Sequence, residues 1–253
     1  MNGYWAFLKK EWMESLRSYR LLVLGAVFLA LGMMGPLSAK FMPELIGSMA
    51  PMMSGLIPEQ TELDAWAQFF KNITQLGLIA GALVFSGLMP GEFSKGTLVC
   101  VLTKGLRRSS VVLAKFTMSA LLWTVCYAGS FLVSWGYTIY FYPEGRVQNL
   151  FPAMAMLWLF GLLILAVLLL GGVLFRSGYG GLIFTGLFVC LLFLVNLIPQ
   201  AQAYNPLVLA SVNPALTAGT AELSDSAAAV WVTAGAVGLA AAGAVLAFRK
   251  KLL

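Results

Sequence analysis

The chain contains no histidine. That removes Ser-His-Asp hydrolysis, HExxH zinc chemistry and histidine proton relays together. Its only aspartates, Asp64 and Asp225, fall in polar stretches between apolar runs, so an aspartyl pair inside a membrane is not expected. Cys100, Cys126 and Cys190 are too widely spaced for a metal cluster and odd in number for a disulfide framework, and they read as small buried hydrophobes. No GxxxxGK[ST] phosphate loop occurs, so ATP hydrolysis would have to happen on another chain. Charge is scarce: 10% of the 253 residues are charged, where a soluble domain carries about a quarter.

What fills the chain instead is apolar. It is 60% hydrophobic with a mean hydropathy of +0.87. This predicts an all-α, polytopic membrane protein in a single domain, residues 1–253. The net charge of +6 does not point to nucleic acid, because the charges sort by membrane side and form no basic face interleaved with aromatics.

Apolar length sets the spans, since a crossing needs about 20 residues. Six are expected, at 21–40, 73–90, 111–142, 151–175, 181–198 and 227–248. Lys115, near the start of the third, is expected to snorkel to the inner face. Ahead of the spans, residues 3–20 read as an amphipathic helix in the cytoplasmic interface. Trp5, Leu8, Trp12, Leu16 and Tyr19 form its apolar face, with Lys9, Lys10, Glu14 and Arg17 opposite. Trp5, Trp12, Lys9 and Lys10 are the expected interfacial anchors. A cleaved leader would need a shorter apolar core.

Lysine and arginine gather on one side. Lys9, Lys10, Arg17, Arg20, Lys95, Lys104, Arg107, Arg108, Lys115, Arg176, Arg249, Lys250 and Lys251 fall inside, against Lys40, Lys71 and Arg146 outside. The positive-inside rule then places both termini in the cytoplasm.

Residues 41–72 are expected outside, broken by Pro43, Pro51 and Pro58. Thr61 with Asp64 reads as a capping box opening a short interfacial helix, with Leu63, Trp66, Phe69 and Phe70 on one face. Met42, Met49, Met52 and Met53 read as flexible apolar contacts rather than soft-metal ligands. The sequon Asn72-Ile73-Thr74 abuts a span and reads as chance. Residues 199–226 hold no lysine or arginine and are expected as an outer, re-entrant-like segment. There Asn205-Pro206 and Asn213-Pro214 each place an N-cap residue before a helix-starting proline. Ser224 or Ser226 is a candidate cap for the last span. Small residues Ala234, Gly235, Gly238, Ala242 and Gly243 suit close helix packing there.

The stretch 91–110 is the most basic polar interruption, and Glu92 is its only acid. From charge alone it serves equally as solvated flanks that set topology or as a docking surface for a partner. Arg107 and Arg108 suit either a partner or anionic lipid headgroups. Glu92, Gly96-Thr97-Leu98, Leu102, Arg107 or Arg108, and Lys115 together resemble the pattern of ATP-binding-cassette type-2 permeases, the membrane subunits of bacterial exporters. The amphipathic start, six spans and broken outer segment extend that resemblance over the whole chain. Leu106, where many members carry proline, is a departure that bears on the bend of the loop.

The resemblance implies a permease that is not itself catalytic and binds no cofactor, with ATP and Mg held by a partner. It implies two ATPase subunits docking on a coupling loop at 91–110, through Glu92, Gly96, Thr97, Leu98, Leu102, Arg107 and Arg108. It further implies a second permease, a copy or a paralogue, surrounding membrane lipids, and residence in the bacterial inner membrane. A non-transporting anchor is the alternative. A channel or gradient-driven transporter fits less well, because the spans are nearly free of ionisable groups.

Overall fold

A computed structural model describes residues 2–49, 60–94, 107–143, 145 and 147–250. All regular structure among them is helical, and six helical stretches are long and apolar enough to cross a membrane. Helix α1 (Asn2–Arg17) lies ahead of the first span and turns into it at Tyr19, whose φ of 55° is left-handed. The spans are α2 (Arg20–Met49), α3 to α4 (Glu62–Asn72 and Leu78–Phe85), α6 (Arg108–Phe141), α7 (Leu150–Phe175), α8 (Gly178–Val195) and α12 (Ala227–Lys250). Helix α5 (Pro90–Ser94) follows the second span.

Helix α7 is the centre. It is apolar all round, the pattern of a helix buried on every side, and Leu157, Phe160, Leu163 and Ala166 along it are shut away. Helices α4, α6, α8 and α12 pack around it. Trp123 of α6 stacks on Tyr127 at 5.5 Å and meets the edge of Phe28 of α2 at 5.4 Å. Trp66, Phe69 and Phe70 of α3 extend this aromatic core.

Without water, helices associate through close packing, so small residues let backbones approach. Gly32 of α2 faces the Ser130 carbonyl, which an added Cβ would approach to 2.5 Å. Gly161 of α7 is covered by the Trp123 indole, which an added Cβ would approach to 2.1 Å.

Several expectations change here. Residue Pro43 does not break the chain, because α2 runs on to Met49; a proline is tolerated in a spanning helix where neighbours re-satisfy its backbone. Pro51 and Pro58 lie outside the described residues. The Asp64 carboxylate does accept from the Thr61 N–H and hydroxyl, both at 2.8 Å. The helix it opens is no separate interfacial piece, however. It continues through a π-helical turn, Ile73–Gly77, directly into α4. Asn72 is buried within it, which suits the reading of its sequon as chance.

Between α8 and α12 come short helices α9 (Pro199–Gln202), α10 (Val208–Ser211) and α11 (Asn213–Thr217), then a 3₁₀ turn, Ser224–Ser226. Asn205 accepts the Leu207 N–H at 3.1 Å and donates to the Leu192 carbonyl at 2.8 Å, tying this segment to α8. Pro206 is buried beside it. Asn213 is not an N-cap. Val212 before it is already helical, so the extended residue a cap requires is missing. The Asn213 amide instead donates back to the Leu209 carbonyl at 2.9 Å, and Pro214 sits in the first turn. Among the described residues the Ser226 hydroxyl has no partner, while the Ser224 hydroxyl donates to Glu222. Residues Ala234, Gly235, Gly238 and Ala242 face away from the bundle; α12 packs through Ala229, Thr233, Ala240, Ala244 and Phe248. Cys126 is buried but Cys190 is exposed.

Gly161→Leu should overpack the centre and lower stability by about 1–3 kcal/mol, the usual cost of forcing side chains off their rotamers. Thermal unfolding of the detergent-purified chain measures it. Gly238→Leu, on the open face, should leave the melting temperature unchanged.

Candidate coupling site at the basic end

Helix α1 has two faces, and the one that matters is not its tryptophan stripe. Trp5, Trp12, Leu16 and Tyr19 point outward. Phe7, Glu11 and Ser15, at intervals of four, lie on one side of a helix, and all three are buried. They face the start of α6, where the Tyr4 hydroxyl donates to Thr117 Oγ1 at 2.9 Å.

Lys115 meets that face. Its ammonium is 2.9 and 3.0 Å from the two Glu11 oxygens and 3.2 Å from Glu92 Oε1. It does not snorkel: it is 1% exposed, because both carboxylates are brought to it. A charged amine out of water must be paired and hydrogen-bonded. Glu92, in the short helix α5, is also buried. Lys10 closes the arrangement, 2.6 Å from Glu92, 3.0 Å from Glu14 and 3.2 Å from Glu11. The Phe7 ring lies under both amines, 5.0 Å from Lys10 and 5.8 Å from Lys115.

Glu11, Glu14 and Glu92 bring carboxylate oxygens within 4.8 Å of one another, a spacing that suits a cation. Here the amines of Lys10 and Lys115 supply that positive charge. Partial burial opposes the charge on Lys10, but the Glu92 hydrogen bond and the neighbouring carboxylates outweigh it and raise its pKa. Partial burial likewise pushes Glu14 up, and the Lys10 hydrogen bond and charge more than reverse this, leaving it below the ordinary carboxylate range.

The same end holds a second junction. The Arg108 guanidinium donates to the Phe248 and Arg249 carbonyls, each at 3.3 Å, at the C-terminal end of α12. A cation there satisfies carbonyls that the helix leaves unpaired. Phe93 of α5 meets Phe248 edge-on at 5.9 Å, and Arg176 lies over the Phe93 ring at 5.5 Å. The stretch between α5 and α6 therefore leaves from and returns to anchored ground.

Of the residues anticipated for coupling, Glu92 and Arg108 are thus engaged within the chain. Arg107 is exposed at the extended residue preceding α6. Gly96, Thr97, Leu98 and Leu102 lie outside the described residues. Among the anticipated anchors, Trp5, Trp12 and Lys9 face outward, whereas Lys10 turns into the cluster.

The model of the ABC-2 family transporter protein matches residues 5–246, nearly the whole chain. The chain belongs to the ABC-2 transporter family. It is similar also to an uncharacterized transmembrane protein of Bacillus subtilis (strain 168), YxlG, at 21% identity over 81% of each chain. The chain is accordingly a multi-pass permease of an ABC transporter, a membrane component rather than an ATPase, and members of this family associate with ABC ATPases.

Sequence reasoning passed over Glu11. The signal was there: a lone glutamate between Phe7 and Ser15 on the narrow side of α1, and a lysine inside an apolar run that needed a partner.

Two outcomes follow from this geometry. Lys115→Met should leave buried Glu11 and Glu92 sharing the one half-exposed Lys10 amine and cost about 3–5 kcal/mol, the usual penalty for breaking a buried pair from one side. Adding Glu11→Gln should return part of that loss in the same melting assay. The pH dependence has a defined sign. The Glu14 contribution is present above its ordinary pKa and lost as pH falls through its lowered one; that of Lys10 is lost only in strong alkali. A fluorophore on α1 should therefore report constant attachment across neutral pH, with loosening of its end near Glu14 only in acid below the ordinary glutamate value of about 4.

Proposed function

We propose that this chain is the membrane half of an ATP-driven exporter in the bacterial inner membrane, with both termini in the cytoplasm. Residues 91–110 are its coupling loop. Two separate ATPase subunits dock there, carrying ATP and Mg, and a second permease, identical or paralogous, completes the path. Closure of the ATPases pushes the loop, and the loop moves the helices.

The observation that carries this reading is the pairing of buried Glu92 with buried Lys115 and with the half-exposed Lys10. A load applied after the second span is not absorbed by a slack loop. It passes at once to α1 and to α6, and through Arg108 to the end of α12. The lysine and arginine bias supplies the sidedness. Gly96, Thr97, Leu98 and Leu102 make the apolar and backbone part of the docking surface, and Arg107 its exposed charge.

The test is copurification of the partner ATPase, with substrate-stimulated turnover as the readout. Arg107→Glu should weaken ATPase binding or uncouple its hydrolysis from transport, since a reversed charge adds repulsion to lost attraction. Lys250→Glu is the matched control and should act weakly. The permease freed of its partner should hydrolyse no ATP. Undiminished coupling in Arg107→Glu would leave this arginine a topological charge only, and an ATPase that binds without responding to any substrate would favour an anchor.

A further inference from the structure

The face of the second span away from α2 carries a groove with two unlike halves. Toward the end opposite the coupling site it is polar, lined by Gln60, Asp64, Gln68, Lys71 and, from α10, Ser211. Toward the middle it is apolar, lined by Leu78, Ile79, Leu83, Phe160, Val189 and Phe193 between α4, α7 and α8. Each half has a volume of about 500 Å³. Thr74 and Gln75 line both, so the halves are one continuous surface.

The junction is where the helix is irregular. Thr74 and Gln75 lie in the π-helical turn Ile73–Gly77, and π-turns inside α-helices are frequent at functional sites. The Thr74 hydroxyl is buried there with no hydrogen-bond partner among the described residues, an arrangement that costs free energy unless something supplies one. Lys71 forms no ion pair among the described residues.

The dimensions name the occupant. From Thr74 to Leu83 the helix rises about 14 Å at 1.5 Å per residue, close to half of a hydrocarbon core of about 30 Å. A chain that fills the apolar half is thus one leaflet long, and its head emerges among the lysine, the glutamines and Ser211. An anionic head with several acceptor oxygens satisfies that donor set.

We infer that this groove binds a phosphate-headed amphiphile, its acyl chain between α4 and α8 and its head at Lys71, Gln68 and Gln75. That the amphiphile is also the transported substrate rests on the exporter reading; binding does not.

The probe is a lysophosphatidic acid carrying a photoreactive diazirine at mid-chain, applied to the purified permease in nanodiscs, with labelled residues mapped by mass spectrometry. Saturable labelling should concentrate on residues 78–83 and 185–193. Gly186→Phe should abolish it, because an added Cβ there meets no atom within 4 Å and the ring enters the groove without disturbing the fold. Lys71→Glu should weaken apparent affinity about tenfold through lost attraction and added repulsion. An alkanol of the same chain length should not compete. Equal labelling of Leu22, Leu132 and Leu239, outward-facing residues elsewhere, unaffected by either variant, would overturn the site in favour of ordinary surrounding lipid. Protection of the groove by a crosslinked second copy would overturn it in favour of a permease interface. Labelling as expected, with no stimulation of the partner ATPase by lysophosphatidic acid, would leave the site standing and overturn the substrate assignment alone; the exporter reading falls only if no substrate stimulates that ATPase.

Discussion

An ammonium group without water is the constraint around which the basic end is built. Lys115 enters the bundle at the start of a long apolar helix and is sealed in. Its charge is tolerable only because Glu11 and Glu92 arrive from two other elements. That requirement holds α1 against α6 and fixes the entry of the segment that follows the second span. Lys10 then offsets the surplus of carboxylate, and Phe7 gives both amines an aromatic floor. The three elements thus form one mechanical unit, although α1 is far in the chain from the other two.

The rest of the bundle obeys a different rule. Lipid is as apolar as leucine, so burial of hydrocarbon does not decide which helix faces which. Shape decides. Gly161 admits the Trp123 indole, and Gly32 admits the Ser130 backbone. The aromatic core from Phe28 to Trp66 fills the space that remains. One consequence is that Ala234, Gly235, Gly238 and Ala242 of α12 face outward: the seam they could form is not needed for the fold of a single chain. The basic end, held by charge, and the middle, held by shape, are therefore governed by separate physics within the same helices. Lys115 and Trp123 are both on α6.

Much of this was legible beforehand. The six spans, the amphipathic first helix and the capping box at Thr61 follow from apolar length, helical period and a local hydrogen-bond pattern. These are properties of a stretch of chain by itself. The failures have one cause in common. Asn213 has the residue type of a cap, yet its partner was decided by the helical conformation of Val212. Pro43 has the residue type of a breaker, yet α2 continues through it.

Residue type and spacing determined the class of the protein: a chain without histidine or a phosphate loop, nearly free of charge inside its spans, is a polytopic helical membrane component and not an ATPase. They also determined which segments are polar enough to leave the bilayer. Only the tertiary structure decided where each charge in the first turns of α1 and α6 points. The sequence shows Lys10, Glu11, Glu92 and Lys115 at separations of up to 105 residues, and a helical period alone makes any of them a surface group. What draws them into one cluster, with Glu11, Glu92 and Lys115 buried and Lys10 at its edge, is contact between elements distant in sequence, where the cost of stranding one charge out of water exceeds the cost of ordering its partners.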